Sequence, residues 1–189
     1  MKNLILTAAC GLQPNQIEFF LKSLRKYYDD EVFFLVGQKD FETKKFLKEY
    51  NCNFLEVSVH KFDIQLKRYS FFLDVLQRDK YKNILFCDSR DIYFQSNPFN
   101  YSYKGSINYF LEDKKIKDCP YNSSWLIKTY GKETYDAISN NTISCGGTIL
   151  GAHGSIKTFL TLKIDQIYKH KFKRRLKYVL TFRRDKGAR

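Results

Sequence analysis

Proline and glycine are scarce in this chain of 189 residues, with 3 Pro and 9 Gly. Long structureless connections are therefore not expected, because these residues punctuate loops most strongly. No stretch approaches 18 consecutive apolar residues, which excludes a membrane-spanning helix. The N-terminal apolar run, Leu4-Ile5-Leu6, is too short for the core of a secretion signal. The five cysteines (Cys10, Cys52, Cys87, Cys119 and Cys145) are odd in number and show no C-x-x-C spacing. That pattern argues against a disulfide scaffold and a thiolate metal cluster, and it favours free thiols in a reducing compartment. Asn122-Ser123-Ser124 and Asn140-Asn141-Thr142 fit the glycosylation acceptor pattern, but without a secretion signal they are read as chance.

What is abundant is apolar and aromatic: 43% hydrophobic residues, with 17 Phe and 14 Tyr. This is the composition of a packed globular protein, and the length suits a single domain. The net charge of +13 is unevenly spread. Residues 163–189 hold eleven Lys/Arg against Asp165 and Asp185, a local charge of +9. This C-terminal segment is either a solvated helix face or a patch that meets an anionic surface.

Hydrophobic periodicity predicts alternating strands and helices. Leu4–Ala9, Glu31–Val36, Cys52–Val59 and Asn83–Cys87 read as strands. Between them, helices are predicted from Gln16, over Phe41–Tyr50 and over Gln65–Gln77. The order β-α-β-α-β-α-β implies a mainly parallel sheet with right-handed crossovers. Asn83–Cys87 is apolar throughout, so it is expected at the centre of the sheet. Further on, Tyr101–Phe110 and Thr142–Gly151 are predicted strands, Ser124–Ile138 is predicted to contain a helix, and Ser155–Tyr168 is an amphipathic helix that the basic segment continues.

Ligands of an open parallel sheet bind outside the carboxyl ends of its strands. Asp88 and Asp91 follow the most apolar strand at that point. Two carboxylates three residues apart in a turn can converge on a hard cation, Mg2+ or Mn2+, that bridges to phosphates. The competing reading is structural, with Asp88 capping a turn and Asp91 paired with Arg90.

The stretch Ile84-Leu85-Phe86-Cys87-Asp88-Ser89-Arg90-Asp91-Ile92-Tyr93-Phe94-Gln95-Ser96-Asn97-Pro98-Phe99 resembles the metal-motif region of GT-A glycosyltransferases. The likeness is to the branch that reads Asp-x-Arg-Asp, an apolar run, Gln and Pro-Phe. It implies a GT-A (Rossmann-like) mixed, mainly parallel sheet flanked by helices. It further implies transfer of a sugar from a nucleoside-diphosphate sugar, UDP favoured, to a glycan or other hydroxyl acceptor. Mn2+ (or Mg2+) would be held by Asp91 and Asp88. Asp91 matches the last Asp of the usual Asp-x-Asp, and Asp88 matches the first with one residue inserted.

By the same resemblance, Thr7, Ala8, Ala9, Cys10 and Gly11 form the nucleotide-binding strand and loop. Arg68 reaches phosphate, Ser89 and Arg90 belong to the diphosphate site, and Gly146 and Gly147 belong to a later strand where substrate approaches the backbone. Apart from the resemblance, His153 in Gly151-Ala152-His153-Gly154 is a candidate diphosphate contact on the general versatility of histidine, the competing reading being a structural or solvent-exposed loop residue. Asp185, in Arg184-Asp185-Lys186, resembles the start of an acceptor-side Asp-Gln-x-x-x-Asn segment in which Lys186 replaces Gln. Together with Asp91 it is a candidate catalytic carboxylate.

The expected layout is a nucleotide-binding half over 1–99, an acceptor-side half over 100–162 and the basic segment 163–189. A chain that stops before the Asn position implies a longer protein. The expected location is cytoplasmic, with the basic segment at a membrane surface. A nucleic-acid-binding module is the rival outside enzymology, and no known nucleic-acid motif supports it. A sugar-phosphate nucleotidyltransferase is the rival within it, but the loop after the first strand lacks the Gly-rich, basic sequence that such an enzyme needs.

Overall fold

A computed structural model describes residues 1–58, 63–101, 103 and 105–185, with side chains described as far as Lys169. Six strands form one sheet: β1 (Leu4–Ala8), β2 (Glu31–Gly37), β3 (Asn53–Val57), β4 (Asn83–Cys87), β5 (Ile107–Lys115) and β6 (Thr142–Ala152). Their order is β3-β2-β1-β4-β6-β5. β1 pairs in parallel with β2 and β4, and β2 with β3, whereas β6 runs antiparallel to both β4 and β5. β4 is thus interior, as its continuous apolar sequence predicts.

The strands show the period of two that a sheet covered on both faces requires. Ile5, Leu85 and Cys87 pack on one face, with helices α1 (Pro14–Leu24) and α2 (Phe41–Glu49). Leu4, Leu6, Ile84 and Phe86 pack on the other, with α3 (Ile64–Arg78) and α6 (His153–Asp185). From β1 the chain winds outward through β2 to β3, then returns across the opposite face through α3 to β4. The direction of winding therefore reverses between β1 and β4. A crevice opens at such a switch point, beyond the strand ends.

Two elements of the second half differ from expectation. The strand predicted over 101–110 forms at Ile107–Lys115, shifted toward the C-terminus. Its residues are mostly exposed, so hydrophobic alternation gave no register. The helical region predicted over 124–138 is two helices, α4 (Pro120–Tyr130) and α5 (Lys132–Ile138). Gly131 separates them at φ +92°, a conformation glycine adopts without steric cost. β3 ends at Val57, and Val59 of the predicted strand lies outside the described residues. All five cysteines are free thiols.

Several buried acids of this fold hold their protons tightly. Burial, reinforced by the Asp40 carboxylate, pushes the Cys10 thiol up to about 12. Burial also pushes the Tyr81 phenol up to about 12 and raises Tyr28 and Cys87 further. Each folded value exceeds the unfolded one, so the stabilisation is complete below the unfolded pKa and is lost as pH rises through the folded value. The expected melting temperature is steady up to about pH 9 and falls progressively towards pH 12. Calorimetric scans across that range check it.

Candidate functional site

A cleft of about 490 Å³ lies at the switch point. Three walls meet there: Ala8, Cys10, Gly11, Leu12 and Gln16 from the β1–α1 connection; Ile64, Gln65 and Arg68 from the first turns of α3; and Asp88, Ser89, Arg90 and Asp91 after β4. Segments far apart in sequence converge because β1 and β4 are parallel neighbours, with Leu6 level with Phe86. Their C-terminal ends therefore open at the same height. The Ser89 hydroxyl ties them together, donating to the Ala8 carbonyl at 2.8 Å while itself buried.

The β1–α1 loop is braced from below. Gly11 sits at φ +73°, where a side chain would be strained. Its N–H donates to Asp40 Oδ2 at 2.8 Å, and the same oxygen accepts from the Gly37 N–H at 2.7 Å. Asp40 stands at the N-terminus of α2 but does not cap it; its carboxylate instead joins the β2 end to the cleft loop. Asp40→Ala removes both of these bonds. The expected cost is about 1–2 kcal/mol, together with faster hydrogen exchange at Gly11 and Gly37, readable by exchange mass spectrometry or NMR.

Arg68 is buried, and its guanidinium lies over the Phe86 ring at 4.7 Å and the Tyr69 ring at 5.5 Å from their centroids. Nη1 donates to Asp88 Oδ1 at 2.5 Å, and Nε is buried without a partner among the described residues. The neighbouring Lys67 pairs instead with Asp63 at 3.4 Å. Asp88 is fixed from the other side by β6, its N–H donating to the Gly147 carbonyl at 2.8 Å. Gly147 must lack a side chain here, because a Cβ would stand 3.0 Å from Asp88 Cγ and closer to Oδ2.

Asp91 is the open carboxylate, 86% exposed and 3.9 Å from Arg90 Nε. That spacing is too long for a hydrogen bond. The segment after it is anchored. Phe94 is buried edge-on against Phe20 with centroids 5.2 Å apart, and its N–H donates to Ser23 Oγ at 3.0 Å. The Gln95 to Phe99 run ends with Phe99 packed on Tyr28.

Of the residues singled out from the sequence, Ala8, Cys10, Gly11, Arg68, Asp88, Ser89, Arg90 and Asp91 line the cleft. Thr7 and Ala9 are fully buried beneath it. Gly147 abuts Asp88, whereas a Cβ on the adjacent Gly146 would meet open space. His153 is not brought to the site. Ala152 pairs with Asn83, at the opposite end of β4 from Asp88, and His153 Nδ1 accepts from the Tyr81 N–H at 3.3 Å. Burial, then Lys157 and Lys80, lower its pKa. The Asp185 side chain lies outside the described residues, as do those of the basic segment from residue 170 onward. The expected membrane-surface contact falls on those side chains, and no helix among the described residues is long and apolar enough to cross a membrane.

Sequence reading missed Leu12, Gln16, Ile64 and Gln65 as lining, and Asp40 as the brace. Gln16 had a signal: its Oε1 accepts from the Gln13 N–H at 2.9 Å, the reciprocal half of a capping box, which marks a helix opening at the cleft.

Among the described residues no group of three or more His, Cys, Asp and Glu is placed to hold a metal ion. The cleft offers two carboxylates, Asp88 and Asp91. Mg2+ and Mn2+ are commonly held by one or two carboxylates, with substrate phosphates and waters completing the shell. Two carboxylates fit a cation whose shell is completed by waters or a bound anion, and they do not make an all-protein cage.

No protein-family model and no curated protein sequence matches the chain. Solved structures do match in fold. One is glucosyl-3-phosphoglycerate synthase from Mycobacterium tuberculosis in complex with UDP, with TM-score 0.50 and 10% identity over 81% of this chain and 57% of that one. The same enzyme with Mn2+, UDP-glucose and glycerol 3-phosphate also matches, with TM-score 0.50 and 10% identity over the same shares. The apo glycosyltransferase GlyE of Streptococcus pneumoniae matches with TM-score 0.53 and 14% identity over 90% of this chain and 39% of that one. The chain thus spans little more than half the length of the first relative and less of the second. The six-stranded, helix-flanked sheet is the GT-A fold of these glycosyltransferases.

Proposed function

We propose that this chain carries the nucleotide-sugar site of a glycosyltransferase, with a UDP-sugar as donor and a glycan or other hydroxyl group as acceptor. One observation carries the reading. In a GT-A fold, the cleft at the switch point joins a braced glycine loop to a wall holding two arginines, Arg68 and Arg90, and two carboxylates, Asp88 and Asp91. That wall has the chemistry of a diphosphate site. UDP, UDP-glucose and Mn2+ in complexes of a structural neighbour support the choice of donor.

In this reading Ala8 to Leu12 receive the nucleoside, with Asp40 fixing the loop. Arg68 and Arg90 orient the diphosphate. Asp91 and then Asp88 hold the divalent cation, which when bound supplies charge neutralisation at the departing diphosphate. Asp185 is the carboxylate proposed on the acceptor side.

The test is calorimetric titration with UDP-glucose and GDP-mannose, with and without manganese. Binding that requires manganese and favours UDP over GDP is the expected result. Absence of manganese-dependent binding to any nucleotide overturns the proposal.

A further inference from the structure

The two carboxylates of the cleft are not equivalent in the ligand-free protein. Asp91 is 86% exposed, with no hydrogen-bonded cation among the described residues. Asp88 is already matched with one: Arg68 Nη1 holds its Oδ1 at 2.5 Å. On its far side the Gly147 backbone closes in, leaving room for the carboxylate but not for a Cβ. Asp88 therefore has no free path away from Arg68 toward β6. Arg68 is equally constrained, with its guanidinium over Phe86 and Tyr69 and its side chain 8% exposed. Its Nε is fully buried and has no acceptor among the described residues.

We infer that Arg68 is the resident counter-cation of Asp88, so that a divalent ion binds weakly on its own and enters together with the diphosphate. This inference rests on the nucleotide-sugar reading for the identity of the anion. Without the anion, a dication at Asp88 faces a guanidinium that cannot leave without losing its ring contacts. With the anion, phosphate charge in the cleft that Arg68 lines screens the two cations from each other. Asp88 would then offer the metal an oxygen, with Oδ2 not held by Arg68, and Asp91 would supply the other ligand. Binding of metal and of nucleotide is linked, and linkage is reciprocal: each strengthens the other by the same factor.

The measurement is Mn2+ binding, followed by electron paramagnetic resonance of the free ion, to wild type, Arg68→Met and Asp88→Asn, alone and with UDP. Wild type is expected to bind Mn2+ weakly alone and about 5–150-fold more tightly with UDP, the usual span of such coupling. Arg68→Met is expected to bind Mn2+ alone about tenfold more tightly than wild type, and to lose most of the coupling. Adding Asp88→Asn should remove that gain in the Met background and change little in the wild-type background, a double-mutant cycle that assigns the effect to the pair. If Arg68→Met binds Mn2+ alone no more tightly than wild type, the inference is wrong.

Should Arg68→Met fail to fold, the Arg68 Nε–H resonance of the wild type decides. It is expected to stay put with Mg2+ alone and to shift when UDP is added. A signal that moves fully with Mg2+ alone, or with neither, sinks the inference. A protein that never binds UDP overturns the proposed donor, whereas the Mn2+-alone comparison still judges the Arg68–Asp88 pair.

Discussion

Asp91→Ala is expected to weaken manganese-dependent nucleotide binding by more than about 100-fold. Partners that only orient a metal ligand typically account for about 10–100-fold in affinity. A ligand itself should exceed that, and Asp91 is the carboxylate of the cleft with no hydrogen-bonded cation to give up first. The side chain is 86% exposed, so its truncation should leave stability within about 0.5 kcal/mol of wild type. Titration with UDP in the presence of manganese, beside a melting curve, separates the two effects. Unchanged manganese-dependent affinity in a folded Asp91→Ala protein would place the metal elsewhere. Asp88→Ala is a poorer probe, because it also strips the buried Arg68 of its counter-charge and so mixes lost binding with lost stability.

The first half of the fold is readable in the sequence because each element is strongly periodic. Asn83–Cys87 is located to the residue: all its residues from Ile84 onward are buried, so the apolar run has sharp edges. β5 is not, because an edge strand with an exposed sequence has no apolar face to set its phase. The cleft divides in the same way. Asp88 to Asp91 are contiguous and follow a central strand, so topology alone puts them at the mouth. Asp40 is illegible, since its two acceptor bonds reach Gly37 nearby and Gly11 across 29 residues.

The placement of His153 fails for a geometric reason. Gly146, Gly147 and His153 are close in sequence, and all three are expected at the nucleotide-sugar site. β6 runs antiparallel to β4, however, with Thr148 level with Cys87 and Ala152 level with Asn83. Gly147 meets the cleft, and the C-terminal end of β6 leaves it, by four residues of strand or roughly 13 Å. Strand direction is set by the whole sheet, and no local residue pattern encodes it.

Phe86 links core to site, and its replacement is expected to have the largest effect on stability. It is 1% exposed, edge-on to Phe72 with centroids 5.4 Å apart, and tilted against Tyr69 at 5.8 Å. Phe86→Ala leaves a cavity between β4 and α3, and such truncations typically cost about 3–5 kcal/mol. For a chain of this size that lowers the melting temperature by about 6–20 °C. The same ring carries the Arg68 guanidinium at 4.7 Å, so stability and binding fall together in the alanine variant. Phe86→Leu separates them. It fills most of the volume, for a cost below about 1.5 kcal/mol, but it removes the π face beneath the cation, an interaction of about 0.5–2 kcal/mol. UDP affinity should then drop, by up to about 2–30-fold, in a protein that melts below wild type but above Phe86→Ala. If Phe86→Leu binds UDP as wild type does, the ring serves packing alone and Arg68 is oriented by Asp88 without it.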